Sequence, residues 1–458
     1  MNKLRVTTLQ HKVDTSGEHV IYWMSQSQRV HYNHALKRAI EIANQMNLPL
    51  IVFFGLTKGY PEANKRHYQF MLEGLKEVEV LLKKLHISFV LRICSPNVGL
   101  RAFLQQSAYL VMDVGYLKYQ VYWREDVVDY IQKNGFSIGV DLVETDVIVP
   151  VKIASDHEEY GAYTLRPKLM KLYPSYRDYS SLPVIMNQKE LPIESESLDD
   201  IISILTKLDL DDNIKPSPIY RGGYLQASKL LSLFIEHKAN LYDESNDPSK
   251  DLTSKMSMYL HFGQISSLEI LERMFLAQSQ GQIDGKAFDQ YLEQLFIRRE
   301  LAFNFVTYNK GYDQFEHITE NWAYQTMREH QQDHRTHIYR IDDYITFNTH
   351  DVYFNAAMVE MVKTGYMHNY MRMYWAKKII EWSPNYKQAF ETIKYLNNTY
   401  FIDGRDPNSY AGIAWCFGKH DRAWTNREIF GKLRYMNAAG LERKFDIQTY
   451  VVNMQKYL

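Results

Sequence analysis

Two tryptophans seven residues apart, Trp375 and Trp382, share a segment with helical character. Seven residues make about two helical turns, a rise of roughly 10.5 Å, and leave both side chains on one face. Indoles so placed can pass an electron along a helix. The same spacing also describes an apolar stripe packed in a core. Arg372 lies in the same segment, and an acidic turn with Asp403 and Asp406 follows in residues 403–408 (DGRDPN). A guanidinium can hold a carboxylate through two parallel hydrogen bonds, as a structural ion pair or as a brace beside a bound group. Between them, Asn397 carries an amide that can donate or accept. Upstream, residues 254–257 (SKMS) place small hydroxyls near a helix start, which suits a phosphate or a simple N-cap. Residues 419–424 (KHDRAW) and 431–435 (GKLRY) interleave bases and aromatics. That pattern can neutralise phosphates and stack on nucleobases, or form an ordinary solvated face.

The chain that must position these groups has 458 residues, enough for two or three domains. With 45 % hydrophobic and 23 % charged residues it reads as a soluble globular protein. The net charge of −1 provides no global attraction to nucleic acid, so any DNA contact must use a local patch. Residues 365–458 supply one candidate, with fourteen Lys or Arg against eight Asp or Glu. Cys94 and Cys416 are the only cysteines and show no metal-ligand spacing, so no metal site is expected and a reducing compartment is. Neither a signal peptide nor a membrane span is evident, and a cytoplasmic location is expected, or a nuclear one in a eukaryote.

The first third alternates strand and helix signals. Strands are expected at residues 19–24, 50–56, 87–93 and 110–114, and helices at 32–46, 64–85 and 120–132. Continuous apolar runs such as LIVFFGL (50–56) fit strands buried on both faces, and this alternation implies a parallel sheet. Neither a GxGxxG nor a P-loop motif occurs. Residues 191–212 are rich in Ser, Asp, Glu and Pro, as a surface linker would be, with one short helix at 198–208. Beyond Pro218 the patterns are helical, for example at 223–237, 266–280, 286–306 and 370–382. The resulting division is an α/β domain at 1–179, a linker at 180–217 and an all-α domain at 218–458.

Taken together, residues 367–382, 397 and 403–415, with 254–266, 292–305, 419–424 and 431–435, resemble the class II branch of the DNA photolyases, within the photolyase/cryptochrome family. The resemblance covers most of the chain and is strongest over residues 252–435. It implies an α/β domain followed by a helical FAD-binding domain. The implied activity is that of a carbon–carbon lyase, in which reduced FAD, excited by blue light, lends an electron to a cyclobutane pyrimidine dimer flipped out of DNA. Trp375 and Trp382 would then serve flavin reduction. Asn397, Arg372, Asp403 and Asp406 would hold and tune the flavin, with Tyr242, Ser254, Lys255, Met256, Ser257, Gln264 and Arg299 completing the FAD site. Gln294, Met373 and Trp415 would face the lesion, and Arg298, Arg422, Trp424 and Arg434 the DNA. An antenna pigment in the N-terminal domain, a deazaflavin or a folate, is open, and a monomer is expected.

The sequence departs from the family pattern at two positions. Gln294 stands where the family has a glutamate that hydrogen-bonds the dimer, and Phe354 stands where class II enzymes place a further relay tryptophan. Phenylalanine is very hard to oxidise, so photoreduction is expected to be slow or rerouted, with Tyr353 or Tyr374 as substitutes. These departures also leave open a flavin photoreceptor that has lost repair, or a relative with altered lesion choice. Against (6-4) specificity, only His368 stands where those enzymes pair two histidines.

Overall fold

The computed structural model describes residues 2–11 and 16–458. Its N-terminal part is built on a six-stranded sheet: β1 (Val6–Gln10), β2 (His19–Trp23), β3 (Leu50–Leu56), β4 (Ser88–Ile93), β5 (Ser107–Asp113) and β6 (Gly139–Val143), in the order β1-β6-β5-β2-β3-β4. Strands β2 to β6 are mutually parallel, as the alternating pattern requires. Every residue of β2 and β3 is buried, which explains their unbroken apolar runs. The sheet carries one strand the pattern did not announce. β1 pairs antiparallel with β6 at the sheet edge, and its mostly exposed VTTLQ sequence has no apolar run to betray it.

Helices α1 (His34–Met46), α2 (Lys65–Lys84), α3 (Pro96–Leu104) and α4 (Lys118–Lys133) connect the parallel strands. Asparagines set the ends of the first two. The side chains of Asn33 and Asn64 cap α1 and α2, and Asn47 stops α1 in the left-handed conformation.

The second part is helical. Its longest buried cluster surrounds the Asn369–Trp382 helix and includes Met371, Tyr374, Trp375 and Trp382. The expected single helix at 286–306 is instead three pieces. A π-helical segment, Glu293–Arg298, separates Gly285–Leu292 from Arg299–Tyr308. Such bulges shift the register of the side chains that follow and are common at functional sites.

Residues expected to link the domains are held along the sheet domain. Asn44 and Asn47 bond to Val184, Met186 and Asn187, while Leu91 bonds to Ser195 and Glu196. The Ile201–Leu208 helix packs on α2. Conversely, Leu165, Leu169, Tyr173 and Tyr176 of the Ala162–Tyr176 helix belong to a helical-domain core with Phe296 and Met274. That cluster also takes in Phe70, Ile148 and Val149, so it spans both parts of the chain.

Buried polar groups lock the two parts together. Arg66 at the start of α2 donates to Tyr400 O at 2.7 Å and Val362 O at 2.6 Å, and Asn64 Nδ2 donates to Thr399 O at 2.7 Å. Arg29 Nη1 donates to Gly263 O at 2.9 Å. Gly263 has φ +63, and a Cβ there would lie 1.9 Å from Gln26 O, so only glycine fits.

Candidate active site

Arg372, on the first turn of the Asn369–Trp382 helix, is fixed from three sides. Its Nε donates to Met367 O at 3.0 Å. Its Nη2 donates to Asp403 Oδ2 at 3.0 Å, and Nη1 lies 3.0 Å from Asp403 Oδ1. Its guanidinium carbon sits 4.0 Å above the Phe401 ring. Asp403 comes to it because the Tyr386–Tyr400 helix ends just before a tight turn. Phe401 N donates to Asn397 O, and Gly404 N to Phe401 O. The Nη1 contact is close but poorly directed, so Asp403 Oδ1 is a buried acceptor without an aligned donor. A ring N–H from a planar heterocycle would satisfy it. The residues present therefore fit a flavin.

Aromatic contact carries the cluster in two directions. Phe401 meets Trp375 edge-on, with centroids 6.0 Å apart. Trp375 donates its indole N–H to Met358 Sδ at 3.1 Å. On the other side Arg372 lies 5.6 Å from the Tyr366 ring, and Lys255 Nζ lies 3.9 Å from the same ring. Lys255 has φ +59, an unfavourable conformation for a lysine, and pairs with Asp251 at 2.7 Å. Ser254 Oγ accepts from Tyr291 OH, and Tyr291 packs edge-on against Tyr242 at 4.9 Å. Tyr242, Ser254, Lys255, Arg372 and Asp403 are therefore joined in one continuous chain of contacts. Tyr366, Tyr291 and Phe401 link that chain and were not among the residues singled out from sequence. Phe401 had a legible signal in lying between Asn397 and Asp403. For the tyrosines nothing stood out in a chain with 35 of them.

Other expected FAD residues have structural duties. Gln264 lies outside that chain of contacts. Its Oε1 accepts from Gly223 N at 2.7 Å and its Nε2 donates to Phe70 O at 3.1 Å, so its amide spans the domain interface. Met256 is buried in a hydrophobic core, and Ser257 is exposed at the head of the five-residue Ser257–His261 helix. Arg299 is buried against Asp146, donating to its Oδ1 and its carbonyl at 2.9 Å each. Asp406 caps the Pro407–Cys416 helix and meets His261 Nδ1 at 3.1 Å. Burial alone would raise its carboxyl, but the His261 contact and the nearby Arg299 outweigh this and hold it below the usual range. Asn397 is buried with its Nδ2 donating to Asn398 Oδ1 at 3.0 Å.

A second constellation lies at the surface. Arg434 is sandwiched between Trp415 at 4.9 Å and Trp424 at 4.3 Å, and Asp421 holds it through Nε at 3.1 Å. Arg422 lies over the other part of this stack, 5.2 Å from the Trp424 ring. Behind Trp415, Lys377 is fully buried, donating to Cys416 O at 2.6 Å, and burial lowers its pKa to about 8. Met373 is half-buried on the Asn369–Trp382 helix, and Gln294 is exposed on the π-helical segment. Its neighbour Glu293 is bound by Arg166 at 3.0 Å and Arg298 at 3.3 Å. His368 is an N-cap that also contacts Ser245 O at 2.9 Å, and burial lowers its pKa to about 4.

A separate cavity of about 370 Å³ opens at the carboxyl ends of β3, β4 and β5, lined by Thr57, Ser95, Lys118, Tyr119, Tyr122 and Trp123. Among the described residues, no helix is long and apolar enough to cross a membrane, and no cluster of three His, Cys, Asp or Glu could hold a metal.

A mostly parallel sheet with connecting helices is thus joined to a helical part that holds a braced carboxylate and two buried indoles. The fold superimposes on a class III photolyase from Agrobacterium tumefaciens with a TM-score of 0.74 at 16 % identity, covering 98 % of this chain and 88 % of that one. A Sulfolobus tokodaii photolyase, whose structure holds two FAD molecules, gives 0.72 at 15 % identity, over 96 % and 90 % of the two chains. Sequence carries the relation beyond the fold. Residues 20–186 match the DNA photolyase family model. The deoxyribodipyrimidine photo-lyase of Methanothermobacter thermautotrophicus is 43 % identical over 442 residues, 96 % of this chain and 95 % of that protein. The chain belongs to the DNA photolyase family.

Proposed function

We propose that this enzyme repairs cyclobutane pyrimidine dimers in DNA by light-driven electron transfer, as a class II photolyase. It is a carbon–carbon lyase, and its cofactor is FAD. When bound and reduced, FAD supplies the excited electron that splits the dimer ring, and the electron returns, so no net redox change occurs. The observation that carries this reading is the Arg372–Asp403 pair with its unsatisfied Oδ1, set directly against the Phe401–Trp375 contact. Arg372 offers positive charge to an electron-rich ring, and Asp403 offers an acceptor to a ring N–H. Asn397 can orient toward the same ring, while Tyr242, Ser254 and Lys255 hold the rest of the molecule.

The stacked Trp415, Arg434, Trp424 and Arg422 suit DNA from which a dimer has been extruded. The arginines neutralise phosphates and the indoles offer flat apolar walls. Arg298, exposed beside Glu293, extends the basic surface, and Met373 and Gln294 complete the lesion contacts. Gln294 is accessible to a base and can donate or accept. The protein acts as a monomer, in the cytoplasm or, in a eukaryote, the nucleus. The cavity at the carboxyl ends of β3 to β5 is where open α/β sheets bind ligands, and its aromatic lining suits a planar antenna pigment such as a deazaflavin or a folate.

The test is blue-light repair of an oligonucleotide carrying one thymine dimer, with flavin chemically reduced beforehand. Light-dependent restoration of the thymines supports the proposal. Bound, reduced FAD without repair would favour the photoreceptor reading, whose support is Gln294 and Phe354.

A further inference from the structure

Trp382 ends the indole-bearing helix, yet it is only 3 % exposed, so it cannot itself meet a reductant in solution. Three rings surround it: Phe354 at 5.0 Å, His350 at 5.1 Å and Tyr339 at 5.3 Å. Phe354 is fully buried and too hard to oxidise to serve as an exit. The substitutes expected from sequence are also poorly placed. Tyr374 is fully buried with its hydroxyl on Asp351, and Tyr353 gives its hydroxyl to Glu442 at 2.7 Å.

Tyr339 differs on each count. It is half-buried beside exposed His337 and His350. Its hydroxyl oxygen accepts the backbone N–H of His350 at 3.1 Å and lies 2.7 Å from His350 Nδ1. In the neutral tautomer that carries its proton on Nε2, Nδ1 is free to accept the phenolic hydrogen across this contact. His337 stacks on His350 with centroids 3.9 Å apart.

Resting on the flavin reading above, we propose that Tyr339 is the terminal donor of the photoreduction path and that His350 is its proton acceptor. Trp382, oxidised when an electron passes through Trp375 toward photoexcited flavin, regains one electron from Tyr339. The phenolic O–H bond breaks and its proton bonds to His350 Nδ1. This leaves a neutral tyrosyl radical beside an imidazolium. A small thiol from solution then returns a hydrogen atom's worth of electron and proton to Tyr339, and His350 releases its proton to water. Several groups face His350. Burial lowers its pKa first, His337 and Lys378 act the same way, and Asp351 and Glu381 oppose them. The base is therefore neutral, and ready, at neutral pH.

The experiment is flash transient absorption on FAD-loaded protein, with Tyr339→Phe and His350→Phe variants. The parent should show a tryptophanyl radical giving way to a tyrosyl radical, more slowly in heavy water. Tyr339→Phe should abolish the tyrosyl band. His350→Phe, which keeps the ring stack and the backbone donor, should slow its appearance by about 100-fold, the scale of general-base assistance. Normal flavin photoreduction with an unchanged radical sequence in Tyr339→Phe would overturn the relay and leave the flavin reading standing. Failure of the parent to bind FAD would overturn both.

Discussion

Replacing Arg372 with methionine removes the guanidinium but keeps an apolar stem over Phe401. Asp403, whose side chain is 9 % exposed, would then be a buried carboxylate with no counter-charge. At 3.0 Å and an effective dielectric near 20, the lost attraction is about 5 kcal/mol. The Arg372 side chain is 22 % exposed, and solvent screening reduces this to about 3 kcal/mol. Arg372→Met should therefore lower stability by about 3–4 kcal/mol, the range seen when one partner of a buried pair is deleted. Asp403→Asn should lose less, about 1–2 kcal/mol, because Arg372 keeps Met367 O, the Phe401 face and some water. The double variant should be more stable than Arg372→Met alone. The assay is urea unfolding of FAD-loaded protein by far-ultraviolet circular dichroism, with retained flavin measured alongside. A loss under about 1 kcal/mol for Arg372→Met, or strictly additive singles, would refute the view that Arg372 and Asp403 stabilise the fold as a pair.

Glu300 gives a pH signature. Burial raises its carboxyl to about 8 from the ordinary 4.5, despite bonds from Ile148 N and Val149 N. Its stabilising contribution is complete below about pH 4.5 and fades as pH rises toward 8, by at most about 5 kcal/mol. Thermal midpoints of Glu300→Gln, which keeps the acceptor, should fall less than those of the parent between pH 5 and 9; parallel curves would dismiss this account. Gly263→Ala should lose at least about 2 kcal/mol, because its Cβ would meet the backbone oxygen of Gln26 at 1.9 Å. An unchanged melting temperature would show that the interface yields easily. Arg422→Ala should weaken binding to dimer-containing DNA and reduce the salt slope of log K by about 1, read by fluorescence anisotropy at several salt concentrations. An unaltered slope would remove Arg422 from the phosphate contacts.

What was legible in the sequence follows from how each element is stabilised. Strand β3 coincides with residues 50–56 because burial on both faces demands an unbroken apolar run. Helix α2 falls within the helix expected at 64–85, because its buried face repeats at helical spacing. β1 was invisible because an edge strand needs no apolar signature. The site divides in a similar way. Arg372 and Asp403 meet, and Trp415, Trp424, Arg422 and Arg434 gather, because each group is dominated by pairwise charge or ring contacts between motif-bearing segments. Gln264 was misplaced because its role is to satisfy two backbone groups from distant segments, Phe70 and Gly223, which no local spacing encodes. Tyr339 was missed for a related reason. Its partner His350 is eleven residues away across a loop, and only the fold brings Trp382 against both.

The two ends of the relay differ in proton chemistry, and this difference gives the path a direction. Trp375 donates its indole N–H to a thioether, a very weak acceptor. An oxidised Trp375 therefore keeps its proton and remains a cation that regains an electron readily. Tyr339 faces an imidazole nitrogen 2.7 Å away, a far better proton acceptor than a thioether. Its oxidation is thus coupled to proton loss, and reversal needs the electron and the proton to return together. Electron transfer between the indoles is reversible in character, while the step at the protein surface acts as a latch. Protonating His350 by lowering the pH removes the acceptor, since an imidazolium has two N–H donors and no free nitrogen. The yield of long-lived charge separation should accordingly fall on acidification in the parent and lose this dependence in His350→Phe. A pH dependence that survives that substitution would place the latch elsewhere.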